Sequence, residues 1–221
     1  MIIELPSQYE RIEGKNNFAR VREGVLELKG NYDFEKIMIE MAYLLKGKNR
    51  CHYCRNSVPE DKITIDHLYP LDFGGVTITN NLEPACHSCN SKKSNMNQFE
   101  FNIWRTINSK EEQKSFYHKT IAKKRARKIN PKKKKGFDLP KKWVTYRNLS
   151  AIKKITKAEN RKSERFKKML MFARKYHKLP RPLIISSNYI LLDGKIAYSV
   201  AKVLHFEEVP VIILENVVVL R

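Results

Sequence analysis

Cys51-His-Tyr-Cys54, Ile65-Asp66-His67, Gly74-Gly75, Asn80-Asn81-Leu82 and Cys86-His-Ser-Cys89-Asn90-Ser-Lys92-Lys93 follow one another within 43 residues, and they decide how this chain is read. Two Cys-x-x-Cys pairs supply four thiolates, and zinc takes four soft ligands arranged as a tetrahedron. Zn2+ bound there would pinch the residues between the pairs into a closed loop. Inside that loop the β-branched run Ile63-Thr64-Ile65 reads as a strand, with Asp66 and His67 at its end. An acid beside a histidine at a strand terminus stands at a mouth rather than in a core.

Those residue types suit the hydrolysis of a phosphodiester. The reaction needs an activated water, a cation to neutralise charge building on the phosphate, and a rigid frame that holds them in line. A neutral imidazole at His67 can take the proton from water, provided that its other nitrogen is held. Asp66 offers a hard oxygen suited to Mg2+ or Mn2+. Asn90 directly follows Cys89 at the start of a helix capped by Ser88 or Asn90, so zinc would fix the position of its amide oxygen. His52 and His87 lie inside the cysteine pairs, whose thiolates complete the zinc shell; exposure and at most phosphate contact are expected of them. Gly74-Gly75 reads as a turn.

Charge indicates the partner. The chain has 44 Lys and Arg against 23 Asp and Glu, a net charge of +21, and such a surplus points to a polyanion. Its distribution says more: Lys119 to Lys178 holds 24 basic residues and three acidic ones, which is the whole surplus. That segment reads as a surface that tracks phosphates, with a solvated linker as the other interpretation. Two disulfides would be another use of four cysteines. The start Met1-Ile-Ile-Glu-Leu-Pro6 lacks the basic flank and apolar run of an export signal, which favours thiols in a reducing, cytoplasmic, DNA-associated setting. No stretch reaches the ~18 apolar residues of a membrane span, so no membrane partner is expected.

Along the chain, Ile2–Leu5 reads as a strand, and residues 19–22 and 25–28 read as a hairpin around Glu23-Gly24. Asn31 and Asp33 can cap a helix whose buried face is Phe34, Ile37, Met38, Met41, Ala42, Leu44 and Leu45. Residues 1–46 form a first segment expected to pack against the zinc module or widen its binding surface; 47–107 form the module itself. A helix is expected from about Ser88 to Ile107. Residues 108–178 read as a basic helical connector or arm, broken at Asn130-Pro131 and Asp138-Leu-Pro140, with one or two helices between Ser150 and Tyr176. In the last segment, 179–221, Pro182–Ile185, Tyr189–Leu192 and Val209–Leu214 read as strands and Ile196–Leu204 as a helix. The fold class is α+β.

The pattern Asp66-His67, Gly74-Gly75, Asn81-Leu82-Glu83-Pro84, Cys86-x-x-Cys89-Asn90 and Lys92-Lys93 resembles the HNH endonucleases, whose ββα-metal fold is stapled by a structural zinc. The resemblance covers about a fifth of the chain. It implies that His67 is the general base, that Asp66 and Asn90 hold a catalytic Mg2+ or Mn2+, and that Asn81 braces the loop and helps to orient the histidine. It further implies that Cys51, Cys54, Cys86 and Cys89 hold Zn2+, and that cleavage leaves 5′-phosphate and 3′-hydroxyl ends. Many members carry histidine after the second cysteine pair; Asn90 stands there in this chain, and its carbonyl also suits a hard cation. Lys92 and Lys93, one helical turn from the metal site, are candidates to grip the cut strand.

The run Pro182–Leu214 resembles the ParB-like, sulfiredoxin-like nuclease domain, in which a strand, Asp-Gly, a helix and a strand like Val-Pro-Val-Ile-Ile-Leu recur. Here Lys195-Ile-Ala follows Gly194, without the family's usual arginine pair. A structural or DNA-docking role is therefore expected, with Lys195 at a helix N-terminus as a phosphate contact. The sequence as a whole reads as a DNA endonuclease whose nucleic-acid contacts include Lys92, Lys93, Lys123, Lys124, Arg125, Arg127, Lys132, Lys133, Lys134, Lys135 and Lys195. One module has one site, so cutting both strands would need a homodimer or two encounters. The rival from another class is a non-catalytic zinc-ribbon, ParB-like DNA-binding protein, and RNA is the alternative substrate.

Overall fold

The computed structural model describes residues 18–22, 25–30, 32–129, 139–154, 161 and 163–220. The expectations for Ile2–Leu5, Glu23-Gly24, Asn31, the Asn130–Asp138 segment with Lys132 to Lys135, and Ile155 and Ala158 lie outside these residues. In chain order the first elements are β1 (Phe18–Arg22), β2 (Val25–Lys29), α1 (Phe34–Lys46), β3 (Ile63–His67), β4 (Leu82–Cys86) and α2 (His87–Lys93). They are followed by α3 (Gln98–Thr106), α4 (Lys110–Ile129), β5 (Thr145–Asn148), α5 (Glu164–Tyr176) and β6 (Leu183–Ser186). The last four are β7 (Leu191–Asp193), α6 (Lys195–Val203), β8 (Glu208–Leu214) and β9 (Val217–Leu220). This is the expected α+β class. The chain divides into two compact units, residues 38–139 and the segments on either side of them.

In the flanking unit, β1 and β2 pair antiparallel as their alternation suggests, with Arg22 opposite Val25. The other edge of β2 is taken by β9 in parallel register, Leu26 opposite Val217. Val217-Val-Val-Leu220 is a strand former by composition, and it was not anticipated. The hairpin thus belongs to a sheet of this unit. A second sheet runs β5-β8-β6-β7. Its central pair β6 and β8 is parallel, connected through α6. Phe166 and Ala173 of α5, Ala197, Val200 and Ala201 of α6, and Leu183, Ile185, Val209 and Val211 of the sheet form one buried cluster. The helices expected over Ser150–Tyr176 reduce, among the described residues, to α5 and a 3-10 turn at Leu149–Ala151. Ser163 caps α5 by accepting from the Phe166 amide at 3.2 Å.

In the unit of residues 38–139, β3 and β4 pair antiparallel, with Ile63 opposite Cys86 and His67 opposite Leu82. Helix α1, whose residues 34–37 belong to the flanking unit, is capped by Asp33, whose Oδ1 accepts from the Lys36 amide at 3.2 Å. Phe34, Ile37, Met38 and Ala42 are buried as expected, but Leu44 and Leu45 are exposed. The last turn is fixed by Lys46 instead. Its Nζ donates to the Thr79 carbonyl at 2.9 Å and pairs with Glu83 at 2.7 Å.

The single helix expected from Ser88 to Ile107 is two. Ser94 turns to φ 46, and Asn97 starts α3 with a capping box: its Oδ1 accepts from the Glu100 amide at 2.9 Å while Glu100 accepts from the Asn97 amide at 2.7 Å. The basic residues that follow begin as the 20-residue helix α4. Ile121 and Lys124 of α4 are buried, and Lys124 Nζ donates to the Asn95 carbonyl and to Glu100, both at 2.9 Å.

The loop between β3 and β4 closes on Gly75. Its amide donates to the Pro70 carbonyl at 3.0 Å, and a Cβ there would lie 2.0 Å from the Tyr69 carbonyl oxygen. Both colliding residues are backbone, so no side-chain motion relieves the clash. Gly75→Ala is expected to destabilise the unit by about 2–4 kcal/mol. Urea unfolding followed by tryptophan fluorescence reads the loss, and an unchanged midpoint would refute this loop closure.

Candidate functional site: a four-cysteine cluster beside His67 and Asn90

Cys51, Cys54, Cys86 and Cys89 bring their sulfurs within 4.8 Å of one another, and they are free thiols. A tetrahedron of Zn–S bonds has edges of about 3.8 Å, so small adjustments seat a zinc ion. Local structure sets the spacing. Arg55 at φ 64 turns the first pair, with its amide donating to the Cys51 carbonyl at 3.0 Å. In the second pair Cys86 itself is the N-cap of α2, its sulfur accepting from the Cys89 amide at 3.4 Å. Ser88 and Asn90, expected as caps, lie one and three positions inside the helix.

Electrostatics also favour a cation here. Burial resists ionisation of Cys51, yet the backbone amides of Cys54, Cys86 and Tyr53 bring its thiol down to about 6. Cys89 is pushed up by burial and by the neighbouring sulfurs. Cys54 is raised too: the Asn56 amide favours its thiolate, but burial and the charge of Cys51 outweigh it. Four thiolates at this density therefore call for a divalent ion among them. The residues fit such a metal.

His67 and Asp66 end β3 on opposite sides of the strand, as alternation requires. His67 Nε2 lies 3.1 Å from the hydroxyl of Thr77, which is itself buried. Asn81, fully buried, spans the loop beneath: its Oδ1 accepts from the Tyr69 amide at 2.9 Å, and its Nδ2 donates to the carbonyls of Tyr69 at 3.1 Å and Val76 at 2.8 Å. The Asn81 carbonyl also accepts from the Leu68 amide, next to His67. Asn90 reaches back from α2 to β3, its Nδ2 donating to Thr64 Oγ1 at 3.0 Å and to the Ile65 carbonyl at 3.4 Å. With its nitrogen so used, the amide oxygen is the end that can face a cation.

Asp66 is 5 % exposed. Tyr53 donates its hydroxyl to Oδ2, and Lys93 Nζ lies 3.0 Å from each carboxylate oxygen and 2.8 Å from the His67 carbonyl. Burial raises the pKa of Asp66 and lowers that of Lys93, against their mutual attraction. Lys93 is fully buried, so the expectation that it grips a nucleic-acid strand is corrected: its charge serves Asp66. Lys124 is corrected likewise, since its ammonium is held by Glu100 and lies 4.7 Å over the ring of Phe73. Lys92, Lys123, Arg125 and Arg127 are exposed, and Lys195 is half-buried at the first position of α6 in the other unit.

Residues 51–102 match the HNH endonuclease family. The HNH segment contains both cysteine pairs, the hairpin β3–β4 and the helix bearing Asn90, and the match suggests a nuclease. No curated protein gives a significant match. A solved structure of a Pnob8-like ParB-N domain is a structural neighbour at 22% identity and a TM-score of 0.28, covering 32% of this chain and 28% of that one. Among the described residues no helix is long and apolar enough to cross a membrane.

Sequence reasoning missed Thr77 and Tyr53. A threonine in a loop and a tyrosine inside a cysteine pair carry no local signal; only the register of the hairpin brings them to His67 and Asp66. It also misjudged His52, expected at the surface. That ring is half-buried, with Nδ1 3.2 Å from Glu83 and Nε2 3.1 Å from the Gln98 amide nitrogen.

The purified protein is expected to carry about one zinc per chain by elemental analysis, and Cys89→Ser to lower both zinc content and melting temperature. A fully folded preparation without zinc would overturn the assignment.

Proposed function

We propose that the chain is a metal-dependent DNA endonuclease of the HNH type. One observation carries this reading: Asn90 and Lys93 of α2 hydrogen-bond successive positions 64–67 of β3, so the zinc-anchored helix holds both ends of the strand that bears Asp66 and His67. A catalytic Mg2+ or Mn2+ would be held by the Asn90 amide oxygen and the Asp66 carboxylate, hard oxygens of the kind these ions take. When bound, the ion supplies charge neutralisation at the phosphate and at the departing 3′ oxygen.

His67 acts as the general base, receiving the proton of the attacking water on a ring nitrogen. Thr77 holds the ring at Nε2 and so limits its rotation. Asn81 keeps the loop that carries Thr77 in register with the strand that carries His67. Exposed Lys92, Lys123, Arg125 and Arg127 hold the backbone phosphates, and the products carry 5′-phosphate and 3′-hydroxyl ends. A monomer nicks; cutting both strands takes a homodimer or two encounters, as a homing, phage or restriction enzyme would arrange. A purely DNA-binding protein would need the cysteines and the basic residues but would have no use for the His67–Thr77 pair.

Supercoiled plasmid incubated with Mg2+ or Mn2+ is expected to be nicked by the wild type. His67→Ala should cut about 10²–10⁴ times more slowly while binding the same DNA equally well. Equal binding with no cleavage by either protein under any divalent metal would favour the DNA-binding reading, or RNA as substrate. In the same binding assay, Lys123→Ala with Arg127→Ala should flatten the log–log salt dependence by about 0.9 for each phosphate contact removed.

A further inference from the structure

The proposed mechanism gives the most deeply buried charge in the HNH segment a place on β3 but no part in handling the metal ion. Lys93 has no exposed surface, and its ammonium spends its donors on both oxygens of Asp66 and on the carbonyl of His67. It stands three residues after Asn90 on a helix, so the two side chains project from the same face toward β3. The ammonium therefore sits on the carboxylate assigned to the divalent ion, and its residue lies one helical turn after the one whose amide is assigned to it.

We propose that Lys93 is a tethered cation that competes with the divalent ion for Asp66, so that the ion enters by exchange. This deepens the nuclease reading and rests on it. A monovalent and a divalent cation cannot share one buried carboxylate without strong repulsion, because few water dipoles screen them there. Lys93 is suited to leave, since four methylenes separate its charge from the helix and rotation about them moves the ammonium without moving α2. Tyr53 remains on Oδ2 through the exchange and keeps the carboxylate oriented. While Lys93 is in place, its bond to the His67 carbonyl pins the end of β3, so the strand bearing the base is ordered before the ion arrives. Lys93 is thus a positioning residue whose departure is part of metal loading.

The test is Mn2+ binding to the full-length, zinc-loaded protein without nucleic acid, read by the loss of the free-ion electron paramagnetic resonance signal. Lys93→Met is expected to bind Mn2+ about tenfold more tightly than the wild type, because the competitor is gone, and Asp66→Asn to lose the site. If Asp66→Asn loses the site but Lys93→Met binds no more tightly than wild type, the exchange is refuted and the ligand assignment stands. If wild type and Asp66→Asn bind equally, the ligand assignment itself falls, and the exchange with it. Should Lys93→Met fail to fold, the wild type answers alone through lysine side-chain NMR. The Lys93 ammonium, slow to exchange its protons with water when buried, should lose that protection as Mg2+ is added, and protection that persists at saturating Mg2+ overturns the proposal.

Discussion

Four sulfurs confined within 4.8 Å are the constraint on which the rest of the HNH segment depends. Left to themselves they repel once ionised: burial and the neighbouring sulfurs raise Cys89, while at Cys51 burial is outweighed by backbone amides that lower it. A divalent cation bound there would turn the conflict into a clamp. One jaw is the turn at residues 51–54; the other is the junction of β4 and α2, where Cys86 both ends the strand and caps the helix. Because α2 starts on Cys86, a metal held by the four cysteines would set its direction, and with it the places of Asn90 and Lys93. The hairpin, the loop under Asn81 and the ring of His67 are arranged around a helix that has little length of its own to stabilise it.

What was legible in the sequence was whatever depends on local spacing. The cysteine pairs, the β-branched strand ending in Asp66-His67, the glycine turn and the alternation of residues 19–28 all have counterparts in the structure. So do the strands and helix of 183–214, within one or two residues. The break between α2 and α3 was also written locally, as Asn97-x-x-Glu100, and was overlooked because the apolar residues beyond it continue a helical period. The pairing of β9 with β2 and the contacts of Thr77 and Tyr53 depend on register and on residues distant in sequence, for which no spacing rule exists.

Net charge illustrates the limit of counting. Lys93 and Lys124 look like their neighbours in a basic sequence, yet both are buried against carboxylates, Asp66 and Glu100. A lysine in that position is costly to desolvate and valuable once paired. The remaining basic residues of α4, such as Lys123, Arg125 and Arg127, lie on its exposed side. The helix therefore uses Lys124 as a buried anchor and leaves others at the surface, a division that composition cannot express.

The parallel pairing of β2 with β9 joins residues about 190 positions apart. The four cysteines, the hairpin β3–β4 and the helices α2 and α3, by contrast, all lie within residues 38–139. Seen as an order of events during synthesis, the inner unit can close as soon as its own residues have emerged, whereas the sheet of β1, β2 and β9 must wait until β9 has emerged. The inner unit is then an insertion that folds ahead of its host. Closing the host late, across so long a separation, is the slow step that topology imposes.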